Sequence, residues 1–112
     1  MNVVVLRGSV STNLVTRDLV GGGRVVSFDL ATDTGSGKAS VPACWIDPPE
    51  VPDWPAGHEV VITGVVRRRF FRSAGATQSR TEVVITEAVE ARRRQHVRKL
   101  VNQVATRLAD GI

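Results

Sequence analysis

A second cysteine is missing from this 112-residue chain, because Cys44 stands alone. No disulfide within the chain is open to it, and a reducing compartment is expected. Metal-ligand spacing is also missing: His58 and His96 lie far apart and no cysteine pair accompanies them. Neither a metal nor a cofactor is therefore expected. No apolar stretch approaches the roughly 20 residues that a membrane-spanning helix needs. Arg7 and Gly8 cut short the apolar run near the start, so no secretory signal is read and a cytoplasmic location is expected. There is no nucleophile elbow, no HExxH and no Cys/His pairing, and the carboxylates are scattered over loops and strand ends. An enzyme is the weaker class on that ground, and a hydrolase whose site escapes motif reading is the remotest rival.

Negative charge is missing from two long stretches. No acidic residue occurs between Val60 and Thr81, and none between Ala91 and Ala109. Residues 1–60 carry four basic and seven acidic side chains, net −3, whereas residues 61–112 carry eleven basic and four acidic, net +7. A chain of this asymmetry meets an anionic partner with its second half. Thirteen of the fifteen basic residues are Arg, the side chain whose planar fork matches phosphate, although a GC-rich genome gives the same bias.

What is present is organised around Val60–Glu90. Two β-branched runs, Val60–Arg72 and Arg80–Glu90, flank the small polar stretch Ser73–Ser79, and the composition predicts a long β-hairpin with that stretch as its turn. Its apolar base suits a core. Its tip does not, since Arg67, Arg68, Arg69, Arg72 and Arg80 surround Phe70 and Phe71. Cations beside aromatic rings suit a polyanion with flat bases, guanidinium for phosphate and ring face for base. The rival reading is a solvated hairpin whose phenylalanines pack on each other. Glu82 and Glu87 are positioned to pair with arginines of the opposite strand and blunt the basic face.

Upstream, Asn2–Val10 reads as a first strand with a bulge or bend at Gly8, and Ser11–Val20 as its continuation. After a Gly21-Gly22-Gly23 turn, Arg24–Thr32 alternates, with Val26, Phe28 and Leu30 on one face as core residues. Asp33–Lys38 is a hairpin loop; Ala39 after Lys38 breaks any phosphate-loop pattern. Ala39–Asp47 is a third strand, in which Pro42 argues for an edge or a bulge. Four prolines between Pro48 and Pro55 exclude a regular helix and make a stiff connector, with Trp54 as a lid over the core's open end ahead of the rival reading, an exposed stacking ring. Gly64 in the fourth strand mirrors Gly8 and again implies strong curvature.

Arg92–Ala109 changes period. Val97, Leu100, Val101, Val104 and Leu108 form a narrow helical stripe among Arg92, Arg93, Arg94, Arg98, Lys99 and Arg107. Three uses compete for this amphipathic helix: packing on its own barrel, pairing with a second copy, and contact with nucleic acid. Self-packing and self-association lead.

Five strand-like stretches, glycine bends in the first and fourth, and a connector between the third and fourth describe a mainly β chain: a five-stranded OB-fold, a Greek-key barrel, with a long hairpin between the last two strands and a C-terminal amphipathic helix. Residues 1–91 form the barrel and residues 92–112 the basic helix. The same stretches resemble the bacterial single-stranded-DNA-binding family. Asn2-Val3-Val4-Val5-Leu6-Arg7-Gly8-Ser9-Val10 looks like its opening strand, and Arg17 lies where that family often has Arg. Gly22-Gly23 with Val25–Thr32 is similar to its second strand, Gly57–Arg67 to its fourth, and Thr81-Glu82-Val83 to the start of its last.

The resemblance implies assembly into dimers or tetramers and sequence-tolerant binding of single-stranded DNA, in replication, recombination or repair, at the bacterial nucleoid. It implies Phe71 as a stacking ring, with Arg67 and Arg69 beside it. Arg67, Arg68, Arg69, Phe71, Arg72 and Arg80 are thus the expected nucleic-acid contacts, with no small-molecule substrate and no membrane. There are departures. Ser36 and the Ser40-Val41 region stand where the family usually has tryptophans, with Trp45 displaced by several residues, and Ile46 takes a customary Phe position. A proline connector replaces a helix, and the acidic tail is replaced by a basic segment. Stacking is depleted while charge is increased, so affinity should depend steeply on salt. The alternative is an OB scaffold that has lost most strand binding and serves as an assembly module.

Overall fold

The computed structural model describes residues 1–111. Six strands, β1 (Val4–Val10), β2 (Val15–Asp18), β3 (Arg24–Asp33), β4 (Lys38–Ile46), β5 (Glu59–Ser73) and β6 (Ala76–Glu90), precede one helix, α1 (Arg94–Asp110). They hydrogen-bond in the order β1-β5-β6-β4-β3-β2, and a further β1–β3 pairing closes the barrel. Every pairing is antiparallel except β4–β6, which runs parallel from Ala43↔Val83 to Trp45↔Ile85. This is the expected OB-fold. Its five barrel strands appear as six pieces because the first is broken: β1 ends on β3 at Val10↔Leu30, and β2 resumes on the same strand at Val15↔Ser27.

The core is built by alternation. Val26, Phe28 and Leu30 of β3 point inward, as expected, to meet Val10, Ala43, Val60, Ile62, Val83 and Ile85. Two glycines permit the curvature. At Gly8 the β1 register runs on without a bulge, but a Cβ there would strike the Ala31 carbonyl oxygen of β3, so the residue marks the seam where β1 passes from β5 to β3. At Gly64 there is a true register shift, and a Cβ would strike the Val84 carbonyl oxygen. Pro42 sits in the half of β4 that pairs with β3 alone, since β6 pairs only with Ala43–Trp45; the edge reading of that proline holds locally.

The proline connector forms neither helix nor strand. Trp54 within it closes the open end of the barrel, edge-on to Phe28 at 5.9 Å and stacked with Trp45 at 6.2 Å. The hairpin turn is far shorter than the Ser73–Ser79 stretch expected. Pairing continues to Ser73↔Ala76, and Ala74 (φ 51°) and Gly75 (φ 79°) alone make the turn. Two successive positive φ values match the twist of the flanking strands, so backbone pairing persists although the side chains are small and polar.

α1 begins two residues later than the sequence pattern implies and ends at Gly111, whose left-handed conformation returns its N–H to the Arg107 carbonyl at 2.9 Å. The helix packs on its own barrel: Leu100 and Val104, flanked by Val97, cover Val61, Ala91, Val3 and Val89 on the outer side of β1, β5 and β6. The rest of the expected stripe is uncovered, Val101 being 41% and Leu108 51% exposed.

Candidate nucleic-acid interface

Strand alternation divides the basic hairpin into two faces. Cross-strand partners share a face, so the register Arg67↔Glu82, Arg69↔Arg80, Phe71↔Gln78 defines one side. The register Arg68↔Thr81, Phe70↔Ser79, Arg72↔Thr77 defines the other. The six residues singled out in the sequence are therefore not one cluster. Arg67, Arg69, Phe71 and Arg80 lie together; Arg68 and Arg72 lie opposite with Phe70.

The first face continues into a groove of about 560 Å³ across the outside of the sheet. Arg17 and Val15 of β2, Val25 and Ser27 of β3, and Cys44 and Ile46 of β4 form its floor and far wall. Arg67, Arg69, Arg80 and Glu82 form its near wall. The groove residues of β3 and β4 are outward residues whose inward neighbours, Val26, Phe28, Ala43 and Trp45, belong to the core or pack on it. Charge in the groove is organised by one carboxylate. Glu82, with a side chain only 7% exposed, lies 3.3 Å from Arg67 Nε and 3.1 Å from Arg69 Nε. One carboxylate cannot neutralise two guanidiniums, so the trio remains cationic while its geometry is fixed. Arg80 approaches Asp29 at 3.6 Å. Arg17 takes part in none of the ion pairs found among the described residues. Four arginines thus face two carboxylates.

Arg67 also points an Nη2 donor at Cys44 Sγ, 3.9 Å away. Burial, and next the Glu82 charge, push the Cys44 thiol above its ordinary value, so it stays protonated in the groove floor and is no nucleophile at neutral pH. No cluster of three or more His, Cys, Asp or Glu suited to a metal ion occurs among the described residues. No helix in them is long and apolar enough to cross a membrane.

Each hairpin face carries one ring under one guanidinium. Arg69 covers Phe71 at 5.5 Å and Arg68 covers Phe70 at 5.6 Å. Neither ring is sealed: Phe71 is 37% and Phe70 65% exposed. The two phenylalanines sit on opposite faces and do not pack on each other. Of the two glutamates expected to blunt the basic face, Glu82 does so. Glu87 instead lies in a larger cleft, of about 960 Å³, between α1 and the base of the hairpin. That cleft holds Arg98, Lys99 and Arg107 but no aromatic ring.

The apolar groove residues Val15, Leu19 and Ile46, which are 56%, 40% and 43% exposed, escaped the sequence reading as site residues. The available signal was the alternation Val15, Arg17, Leu19, which only the β2–β3 pairing brings alongside the hairpin. Trp45, which a displaced platform would have put in the groove, points inward to the lid.

No protein-family model matches the chain, and no curated protein matches it. Among solved structures, a Plasmodium falciparum SSB complex with ssDNA aligns with TM-score 0.69 and 19% identity, over 80% of this chain and 94% of that one. The two share the OB-fold. The N-terminal domain of the PriB protein from Thermoanaerobacter tencongensis, a dimeric structure, aligns with TM-score 0.64 and 21% identity over the same shares. The groove of this barrel is aliphatic and cationic, and its exposed rings are confined to the hairpin tip.

Proposed function

We propose that the chain binds single-stranded DNA without catalysis and with little sequence preference, in replication, recombination or repair. The observation that carries this reading is the groove: four arginines against two carboxylates, an aliphatic floor, and Phe71 at its outer end. Guanidiniums hold successive phosphates, Val15, Leu19 and Ile46 accept base faces without selecting among them, and Phe71 stacks one base. Because charge outweighs stacking, phosphate contacts supply most of the affinity, and the logarithm of the binding constant should fall by about 0.7 per contacted phosphate for each decade of salt. The SSB complex in the same fold supports this choice of ligand.

The test is a titration of fluorescent oligo-dT at two salt concentrations with wild type, Arg17→Gln and Phe71→Ala. Tight binding at low salt, lost steeply as salt rises and weakened in both variants, is expected. Absence of binding at low salt overturns the reading.

Self-association accompanies strand binding in this proposal. Over Val4–Gly8 β1 pairs with β5 alone, which leaves one strand edge open to a second copy. The rival reading, an assembly module without strand binding, is favoured by Val101 and Leu108 standing uncovered on α1. Light scattering on Val101→Gln/Leu108→Gln separates the two. An unchanged mass removes the support for α1-mediated assembly.

A further inference from the structure

The face of the hairpin turned away from the groove has a composition of its own. Arg68 and Arg72 flank Phe70, and the residues across from them are Thr81, Ser79 and Thr77. Arg68 Nε donates to Ser79 Oγ at 3.1 Å, and Arg72 Nη2 donates to the Gly75 carbonyl at 3.0 Å. These neutral partners hold the guanidiniums in place without cancelling their charge. On the groove face the guanidiniums are instead tied to Glu82 and Asp29. Phe70, held beneath Arg68, is the more exposed of the two rings. The back face therefore repeats the groove's outer end, one ring under one guanidinium with a second guanidinium beside it, and carries no carboxylate among the described residues.

We infer that the hairpin is a two-sided arm: a single strand that leaves the groove past Phe71 crosses the tip and is held again on the back face by Phe70, Arg68 and Arg72. This rests on the strand-binding reading of the groove and extends it to a second contact zone. The arm projects roughly 20 Å from Arg67 to Ser73 at about 3.3 Å per residue. It ends in the two-residue turn Ala74-Gly75, whose side chains are too small to block passage over the tip. A strand long enough to fill only the groove meets Phe71; a longer one meets both rings.

Strand length separates the two zones, because single-strand site sizes for one such barrel start at about 4 and reach about 16 nucleotides. Oligo-dT of about 6 and of about 30 nucleotides, spanning that range from within one zone to beyond both, are titrated against wild type, Phe71→Ala, Phe70→Ala and Arg68→Gln/Arg72→Gln. Phe71→Ala should weaken both lengths. Phe70→Ala should leave the short strand within about twofold and weaken the long one by about tenfold, the effect of one lost base stack. The double variant should lower the salt slope by about 1.4, and only with the long strand, as expected for two phosphate contacts. Wild-type affinity of Phe70→Ala for the long strand overturns the two-sided arm while leaving the groove intact. Equal weakening of both lengths also overturns it, since the faces would then act as one. Failure of the wild type to bind either length overturns the groove and the arm together. All altered side chains are exposed, so unchanged thermal midpoints will show that each variant folds.

Discussion

The guanidinium of Arg69 lies over the ring of Phe71, 5.5 Å from its centroid, while its Nε reaches the buried carboxylate of Glu82 at 3.1 Å. Ring, cation and anion form one chain of contacts, so the orientation of the outermost aromatic is set by an acid in the groove's near wall. An isolated exposed arginine would spend most of its time in other rotamers. Here the carboxylate limits them before any strand arrives.

Glu82→Gln should separate the acid's two effects. Its removal leaves Arg67 and Arg69 with a weaker acceptor and should cost about 1–2 kcal/mol of stability, less than a fully buried pair because both arginines are 44% exposed. It also unmasks one positive charge. Affinity for oligo-dT at low salt should rise and the salt slope should steepen by about 0.7. Denaturant melts and paired titrations check the two arms.

Gly64→Ala should be among the most damaging small changes in the chain. The added methyl meets backbone, the Val84 carbonyl, at the register shift that bends the hairpin, and no rotamer can relieve it. A loss of about 2–4 kcal/mol is expected. Gly37→Ala, with nothing near its Cβ, should stay within about 0.5 kcal/mol of wild type. Equilibrium urea unfolding of the pair is the measurement.

Tryptophan emission should be insensitive to bound DNA. Trp45 and Trp54 belong to the lid over Phe28, on the core side of the sheet from the groove. Saturating oligo-dT should leave the emission unquenched, whereas Trp54→Ala should cost about 2–3 kcal/mol by uncovering the core. Strong quenching on titration would mean that the strand follows another path.

The thiol of Cys44 makes a pH prediction. Its folded value is raised, chiefly by burial, so above the ordinary thiol value the unfolded chain releases a proton that the folded chain keeps. Stability is whole below that value and is lost as pH climbs through it. Cys44→Ala should flatten the alkaline limb of a stability–pH curve, and alkylation of native Cys44 should remain slow until pH is well above neutral.

Much of this molecule was legible as pattern. The alternation Val26, Phe28, Leu30 identified the inward face of β3, and the prolines excluded a helix where none forms. Gly8 and Gly64 marked the two places where another backbone passes too close for a methyl group. Local chemistry decides each of these. The groove was not legible, because it depends on β2 lying beside β3 and on the parallel β4–β6 pairing, which join residues with no local relation in sequence. The turn was misjudged for a related reason: small polar residues read as loop, while ladder hydrogen bonds are indifferent to side chains and carried the strands on to Ser73 and Ala76. On α1 the stripe was visible, but periodicity could not say that Leu100 and Val104 would be covered while Leu108 was left bare.

The seam at β1 has a consequence for synthesis on the ribosome. Val4 pairs with Gly64 and Ser9 with Glu59, so the first strand to emerge has to wait for some of the last. At about 5–20 residues per second, the gap between them takes roughly 3–12 seconds to translate. For that interval a largely aliphatic ribbon, charged only at Arg7, is without its partner, and slowing or chaperoning of the nascent chain should matter more for this barrel than for one whose neighbouring strands are also neighbours in sequence.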